Sequence, residues 1–549
     1  MTSNLEIVPF QTFTLDAIES FLQSVVVLDD LAEMSPSDLT LDSGSDPLTS
    51  PDYPQTTQPA DSVSEHDPQG VPLHAEQVIA GFADIGSVCA VLSAAPGREF
   101  PERTVRAARR ADIVVLDWKI QDSVGDAALA VMREILKDDA YADRLRLVAI
   151  YTGEPNLGEI HQRVRGATDE FYEEHELVDD PANFRLSKGP LHIVVLAKAG
   201  VLTRAPAELG REVSESDLAR RLTEEFALMA GGLLRNTAIS GIAAVRDNSH
   251  KILAKFTRRL DPGYLAHRLL LPHPPDAEDH VEEALGAEIM SVLEDARPGA
   301  QANVEAIESW LTSRLSEGLD LSVPFTFPGE QNLVHRWRDL LSEGIGPSAI
   351  LPEGGRNGLR ARGAEAFTEQ EAEADRANHR FAALLGLKTR YPGRRPRLTL
   401  GTVVQTEGDG DPQYLLCLQP KCDSTRLYDT TGFPLIPLDA AGSGGIEALP
   451  LMVDKGVDEW EHFEVNPTPS DLIVRRFEPD TSPPGEVLAS AELENGVFCF
   501  SDINGVKYRW LAELKDEHAL RVATAVANAL SRPGPNDSEW LRQAQRSAQ

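Results

Sequence analysis

The stretch ADIVVLDWKIQDSVGDAAL, residues 111–129, decides how the chain is read. Ile113 to Leu116 form a run apolar on both faces; the run ends on Asp117, and Gly125 follows eight residues later. A carboxylate there is either a turn or helix-capping residue, or a reactive group held at the mouth of a sheet. The neighbouring segments must decide between the two.

Four other runs have the same character: SVVVLDD at 24–30, SVCAVLSA at 87–94, LRLVAIYTG at 145–153 and LHIVVLAKAG at 191–200. Helical patterns at 12–23, 73–83, 101–110, 125–137 and 157–165 alternate with them. Strands apolar on both faces and separated by helices belong to a parallel sheet covered on both sides. The expectation is a doubly wound α/β domain over residues 1–205, interrupted at about 35–70 by an acidic insertion without Lys or Arg, read as disordered for want of apolar surface.

From Ser214 the period becomes helical. SESD is a capping sequence, and Leu218, Leu222, Phe226 and Met229 follow at helical spacing, as do Ile252, Phe256 and Leu260. This predicts an α-helical domain over 210–390, a bundle packed on itself. The connector RYPGRRPR leads to LTLGTVVQTEGDGDPQYLLCLQP, two strands around a Gly/Asp turn. With PLIPL, DLIVRRF and GVFCF as further strands and a helix at 516–531, residues 397–549 read as a β-rich (α+β) domain. TEGDGD lies between strands with no helix after it, so it is a hairpin turn, not a phosphate loop.

The 549 residues carry 52 Lys and Arg against 87 Asp and Glu, a net charge of -35 that argues against a nucleic-acid partner. RRPR at 394–397 is the one basic run weighed against this, and reads as a solvated connector. Four cysteines are too few for a disulfide framework, and CLQPKC has no second Cys/His pair at zinc spacing, so core thiols are expected. The first basic residue is Arg98, and no apolar run nears the roughly 20 residues a membrane span needs. No membrane partner and a cytoplasmic location are expected.

In an open α/β sheet, ligands bind beyond the carboxyl ends of the strands. The run-ending residues are Asp29 and Asp30, Ser93, Asp117, Thr152 and Lys198. Three gathered carboxylates repel unless a cation compensates, and a partly hydrated oxygen site suits Mg²⁺. A carboxylate beside Mg²⁺ can attack phosphorus. Lys198 would neutralise the transferred group, and the Thr152 hydroxyl would bond a phosphoryl oxygen. Phosphoryl transfer needs little more than such positioning and charge.

In these features residues 22–205 resemble the receiver domain of bacterial response regulators. The resemblance rests on LDD, LDW, YTG and VVLAK in order, and on Gly125 at the family's spacing from the phosphorylated aspartate. It implies a flavodoxin-like, five-stranded parallel fold with Asp117 as phosphoacceptor. Mg²⁺ would be held by Asp29, Asp30, Asp117 and the Lys119 backbone carbonyl, with Thr152 as switch hydroxyl and Lys198 facing the phosphate. Lys188, in RLSKG, is the rival lysine. The sequence departs from the family at Ile120-Gln121, where Met-Pro is usual, at Ala199 in place of proline, and at Val195, where an aromatic is usual.

The implied function is that of a response regulator in a two-component phosphorelay, with a histidine kinase as donor. Output would pass through an effector protein rather than DNA, as in large receiver proteins, some of them in bacterial defence systems. A phosphate sink and an aspartyl-nucleophile phosphatase are the alternatives. Phosphatases of that type carry a second acid two residues after the nucleophile, where this chain has Lys119. His250, in RDNSHKILAKF, is the only histidine weighed for phosphotransfer, and it reads as a surface residue at a helix start.

Overall fold

The computed structural model describes residues 9–33, 73–93, 102–120, 123–142, 144–169, 171–172, 177–200, 204–205, 208–329, 332–346, 349–391, 395–407, 411–440, 449–454, 460–465, 469–480, 485–491 and 497–531. The acidic stretch at 35–70 and the polar tail beyond 531 lie outside them. By contact the chain forms two units: Met1–Gly318 with Asn332–Ala349, and Leu319–Gln331 with Ile350–Gln549.

The first unit is built on the five apolar runs. They form β1 (Ser24–Leu28), β2 (Val88–Leu92), β3 (Ile113–Leu116), β4 (Arg146–Thr152) and β5 (Leu191–Lys198). All pair in parallel, in the order β2-β1-β3-β4-β5. Alternate residues serve opposite faces. Val26, Val114, Val148 and Ile193 pack against α3 (Glu102–Ala108), α4 (Asp126–Ala142) and α5 (Leu157–Thr168). Val25, Ile113, Leu147 and Val194 pack against α1 (Phe10–Phe21), α2 (Ala75–Asp84) and α6 (Leu218–Ala230). That double coverage is why the runs of β1, β3, β4 and β5 are apolar throughout, whereas β2, at the sheet edge, is exposed to half-buried.

The sheet carries three strands beyond those five. Val178–Asp180 and Arg185–Lys188 form a hairpin that extends β5 antiparallel, and Glu212–Val213 joins the end of β5 in parallel. The hairpin's alternation is polar, Val-Asp-Asp and Arg-Leu-Ser-Lys, so hydrophobicity does not announce it. Side chains hold it in place: Asp179 accepts from Arg165 at 2.8 Å and lies 2.8 Å from His161, both on α5.

Ser214 caps the turn into α6 by accepting from the Asp217 N–H at 3.2 Å, as SESD implies. α7 (Leu233–Lys255), α8 (Asp261–Leu270), α9 (Asp276–Ala296), α10 (Val304–Ser316) and α11 (Leu333–Glu343) follow. The expected self-packed bundle is corrected in two respects: the stripe Leu218, Leu222, Phe226 and Met229 of α6 packs on the parallel sheet, and the second stripe is not a core. Of the stripe Ile252, Phe256 and Leu260, only Ile252 is buried; Phe256 and Leu260 face outward. His250 is exposed near the end of α7, not at a helix start.

The second unit contains α12 (Gly355–Arg362), α13 (Glu371–Gly386) and an antiparallel sheet closed by α14 (Asp516–Leu530). Thr402–Thr406 and Tyr414–Cys417 form the anticipated hairpin, although its tip at 408–410 lies outside the described residues. Leu449–Asp454, Trp460–Val465 and Lys507–Glu513 are further strands, whose mixed residues carry no clear strand pattern. Arg395 bonds the Ala489 carbonyl at 2.6 Å and Arg397 bonds Glu486, so the basic connector is tied down by this unit. All four cysteines are free thiols. Cys417 and Cys499 are buried, whereas Cys422 is exposed on a tight turn, which corrects the expectation of core thiols at that position.

Candidate functional site

The parallel ladders bring the acids together. The Asp29 N–H donates to the Leu92 carbonyl at 3.1 Å and the Asp117 N–H to the Leu28 carbonyl at 2.9 Å. Leu28 pairs with Leu116, so the next residues, Asp29 and Asp117, emerge side by side at the carboxyl edge. Oxygens of Asp29, Asp30 and Asp117 all lie within 4.8 Å of one another. Asp29 and Asp117 are buried and Asp30 is half-buried. Ser93, at the end of β2, is exposed.

Lys198 reaches this cluster from the end of β5. Its Nζ lies 2.7 Å from Asp29 Oδ2 and 3.4 Å from Asp117 Oδ1, and passes 5.8 Å from the Tyr151 ring centroid on the intervening β4. Asp29 Oδ1 accepts from the Leu31 N–H at 2.9 Å, so one oxygen holds the turn and the other holds the lysine. Lys188 sits in the added hairpin with its Nζ 4.5 Å from the Tyr172 ring centroid. The lysine beside the carboxylates is therefore Lys198.

Burial first, and then the charges of Asp29 and Asp30, push the Asp117 carboxyl up to about 7, against the opposing pull of Lys198. Fully ionised, three carboxylates and one ammonium leave two negative charges, the charge of one divalent cation. The donor set is all oxygen, as Mg²⁺ prefers, and the residues fit such an ion.

Thr152 is fully buried at the end of β4, level with Ala197 of β5. Its hydroxyl accepts from the Glu154 N–H at 3.0 Å, which turns the loop after the strand. Lys119 lies two residues beyond Asp117, in a short strand paired with Val124 of Ser123–Val124. Gly125 closes that hairpin by donating to the Trp118 carbonyl at 3.0 Å, with φ at +86°. A Cβ at Gly125 would overlap the buried Trp118 ring, so glycine is required twice over, by backbone and by space.

Some residues of the site's surroundings were not singled out from the sequence. Tyr151 underlies Lys198, and its hydroxyl donates to the Val213 carbonyl at 2.8 Å. Buried Arg204 donates to the Thr152 carbonyl at 3.1 Å, and Glu208 accepts from the Leu157 N–H, at the start of α5, at 3.1 Å. YTG contains the first of these signals. Arg204 and Glu208 come from irregular sequence that has no periodicity to read.

The model of the response receiver domain family matches residues 21–202. Comparisons with curated proteins and with solved structures returned no match. The matched span begins just before β1 and ends just after β5, and so encloses the parallel sheet and its acidic edge. Residues 21–202 are a response receiver domain within a longer chain.

Proposed function

We propose that the protein is a response regulator of a two-component phosphorelay, accepting a phosphoryl group on Asp117 from a histidine kinase. The observation that carries this reading is the Lys198 ammonium set between Asp29 and Asp117 at the carboxyl edge of the sheet. An ionised Asp117 oxygen attacks phosphorus, the bond from phosphorus to the donor imidazole nitrogen breaks, and the aspartyl phosphate forms. Lys198 holds negative charge on the transferred group. The Thr152 hydroxyl, already accepting from Glu154, donates its proton to a phosphoryl oxygen. Asp29, Asp30, Asp117 and the Lys119 carbonyl would hold Mg²⁺, which supplies charge neutralisation for the transfer.

The added group carries roughly -1.5 to -2 charge, enough to reorder the loop after Thr152. Output through an effector protein, rather than DNA, accords with the net charge of -35. No helix among the described residues is long and apolar enough to cross a membrane.

The test is intact-mass analysis after incubation with Mg²⁺ and acetyl phosphate. One base-labile phosphoryl adduct is expected, absent without Mg²⁺ and absent in Asp117→Ala. An adduct that survives Asp117→Ala contradicts the assignment. Steady turnover of a phosphate ester would instead favour an aspartyl-nucleophile phosphatase. Adduct formation that drains the kinase without altering any partner binding would favour a phosphate sink.

A further inference from the structure

The first half of α7 is anchored to the receiver domain. Asn236 donates to the Thr14 hydroxyl at 3.0 Å, and Arg246 bonds the Phe21 carbonyl at 2.9 Å and Asp112 at 3.2 Å. Beyond Arg246 the character changes. The rest of α7, with α8 and α9, forms an arm in which the described residues bury little: Ile252 on α7, nothing on α8, and Ala277 on α9. α7 and α9 meet along their length, with Gly241 against Leu293 and an ion pair between Lys255 and Glu288.

The arm nonetheless carries an apolar stripe. Leu253 near the end of α7 is 70% exposed, and Phe256 and Leu260, in the turn that follows the helix, are exposed as well. Leu265 and Leu269 repeat four apart on α8, Leu269 at 83% exposure, and Val281 and Leu285 repeat four apart on α9. These large apolar side chains, exposed on three successive helical segments, are the kind of surface that marks an interaction site.

Charge selects the occupant. The α7 limb carries exposed Lys251, Arg258 and Arg259, and the α9 limb carries exposed Asp279, Glu282 and Glu283, while Glu278 is already ion-paired with Arg268 of α8 at 2.9 Å. A surface that is half basic and half acidic is self-complementary under a two-fold axis, because each limb meets its opposite in the copy. An anionic membrane or nucleic acid would meet the acidic limb unfavourably. Two such helical hairpins also complete a helical layer that neither can bury alone. We propose that this arm is a homodimerisation surface, docking α7–α9 against the same arm of a second copy of the chain. The dimer is independent of the chemistry at Asp117.

The test is the mass of the full chain in solution at about 10 μM, a concentration at which micromolar or tighter dimers persist. The expected species is twice the 59.9-kDa chain, in wild type and in Asp117→Ala alike. Leu265→Glu/Leu269→Glu raises the dissociation constant by on the order of 100-fold or more, and gives a monomer with unchanged circular dichroism. Arg258→Glu/Arg259→Glu and Glu282→Arg/Glu283→Arg each weaken self-association, and mixing the two variants restores the dimer. A wild-type monomer, or a dimer untouched by Leu265→Glu/Leu269→Glu, overturns the proposal. So does a monomer that pellets with phosphatidylcholine–phosphatidylserine vesicles, which would make the arm a membrane contact. A mixture that fails to re-form the dimer overturns the opposed-limb arrangement.

Discussion

Gly125 and Asp117 bracket the stretch on which the fold turns, and each is constrained by one neighbour. At Gly125 a methyl group would collide with Trp118 in a backbone conformation that disfavours any side chain. Gly125→Ala is expected to destabilise the first unit by roughly 2–4 kcal/mol, read as a lower urea midpoint. Asp117 works in the opposite direction. Its folded pKa of about 7 stands above the ordinary aspartate value of 3.8, so the folded state prefers the protonated form, and stability falls as pH rises between these values. Asp117→Asn should therefore raise stability at pH 8 without divalent ion, by on the order of 1–3 kcal/mol, while abolishing phosphoryl acceptance. Thermal unfolding of both proteins at pH 8 checks this; an unstable asparagine variant would contradict the electrostatic account. Asp29, Asp117 and Lys198 were legible in the sequence because each ends an apolar run. Arg204, which bonds the Thr152 carbonyl, was not, because its contact depends on a return of the chain that no local pattern encodes.

Among the elements, α6 adds one buried carboxylate to its apolar packing on the sheet. Glu225 receives Arg185 from the added hairpin at 2.6 Å, Arg211 at 3.4 Å and Arg221 at 2.9 Å, with the His192 ring of β5 at 3.5 Å. Burial pushes the Glu225 carboxyl up, but the contacts with His192 and Arg185 and the arginine charges outweigh it and bring it down to about 2. The folded pKa is thus below the ordinary glutamate value of 4.5. The stabilisation is full above 4.5 and is lost as pH falls through about 2, a contribution of about 3 kcal/mol. Glu225→Ala strands the arginines and should cost roughly 3–5 kcal/mol at pH 7, measured by chemical denaturation. Its acid transition should also be shallower between pH 4.5 and 2; an unaltered transition would remove Glu225 from the account. This clasp also explains a limit on reading elements from sequence. Four of the five parallel strands are plain because both their faces are buried, and the edge strand β2 is plain by its apolar composition alone, whereas the hairpin at 178–188 is held by ion pairs and polar contacts that have no hydrophobic period. Phe256 and Leu260 err the other way: their spacing is that of a core, but in this fold they face outward.

Across the whole chain, a receiver domain is continuous with a helical region in one unit, and the other joins α12, α13 and α14 with a β-rich sheet. The sequence disclosed that progression because its period changes twice, from apolar runs to a helical stripe at Ser214 and back to alternation after the arginine connector. It disclosed less of the β-rich sheet, where Lys507–Glu513 mixes charged, aromatic and aliphatic residues along one strand. Phosphorylation of Asp117 can be read out by reductive trapping. The full chain, treated with Mg²⁺ and acetyl phosphate and then with borohydride, is digested and mapped by mass spectrometry. Conversion of Asp117 to homoserine, dependent on both reagents and on Lys198, is the predicted result. Unmodified Asp117, with homoserine at Asp29 or Asp30 or nowhere, would contradict the account.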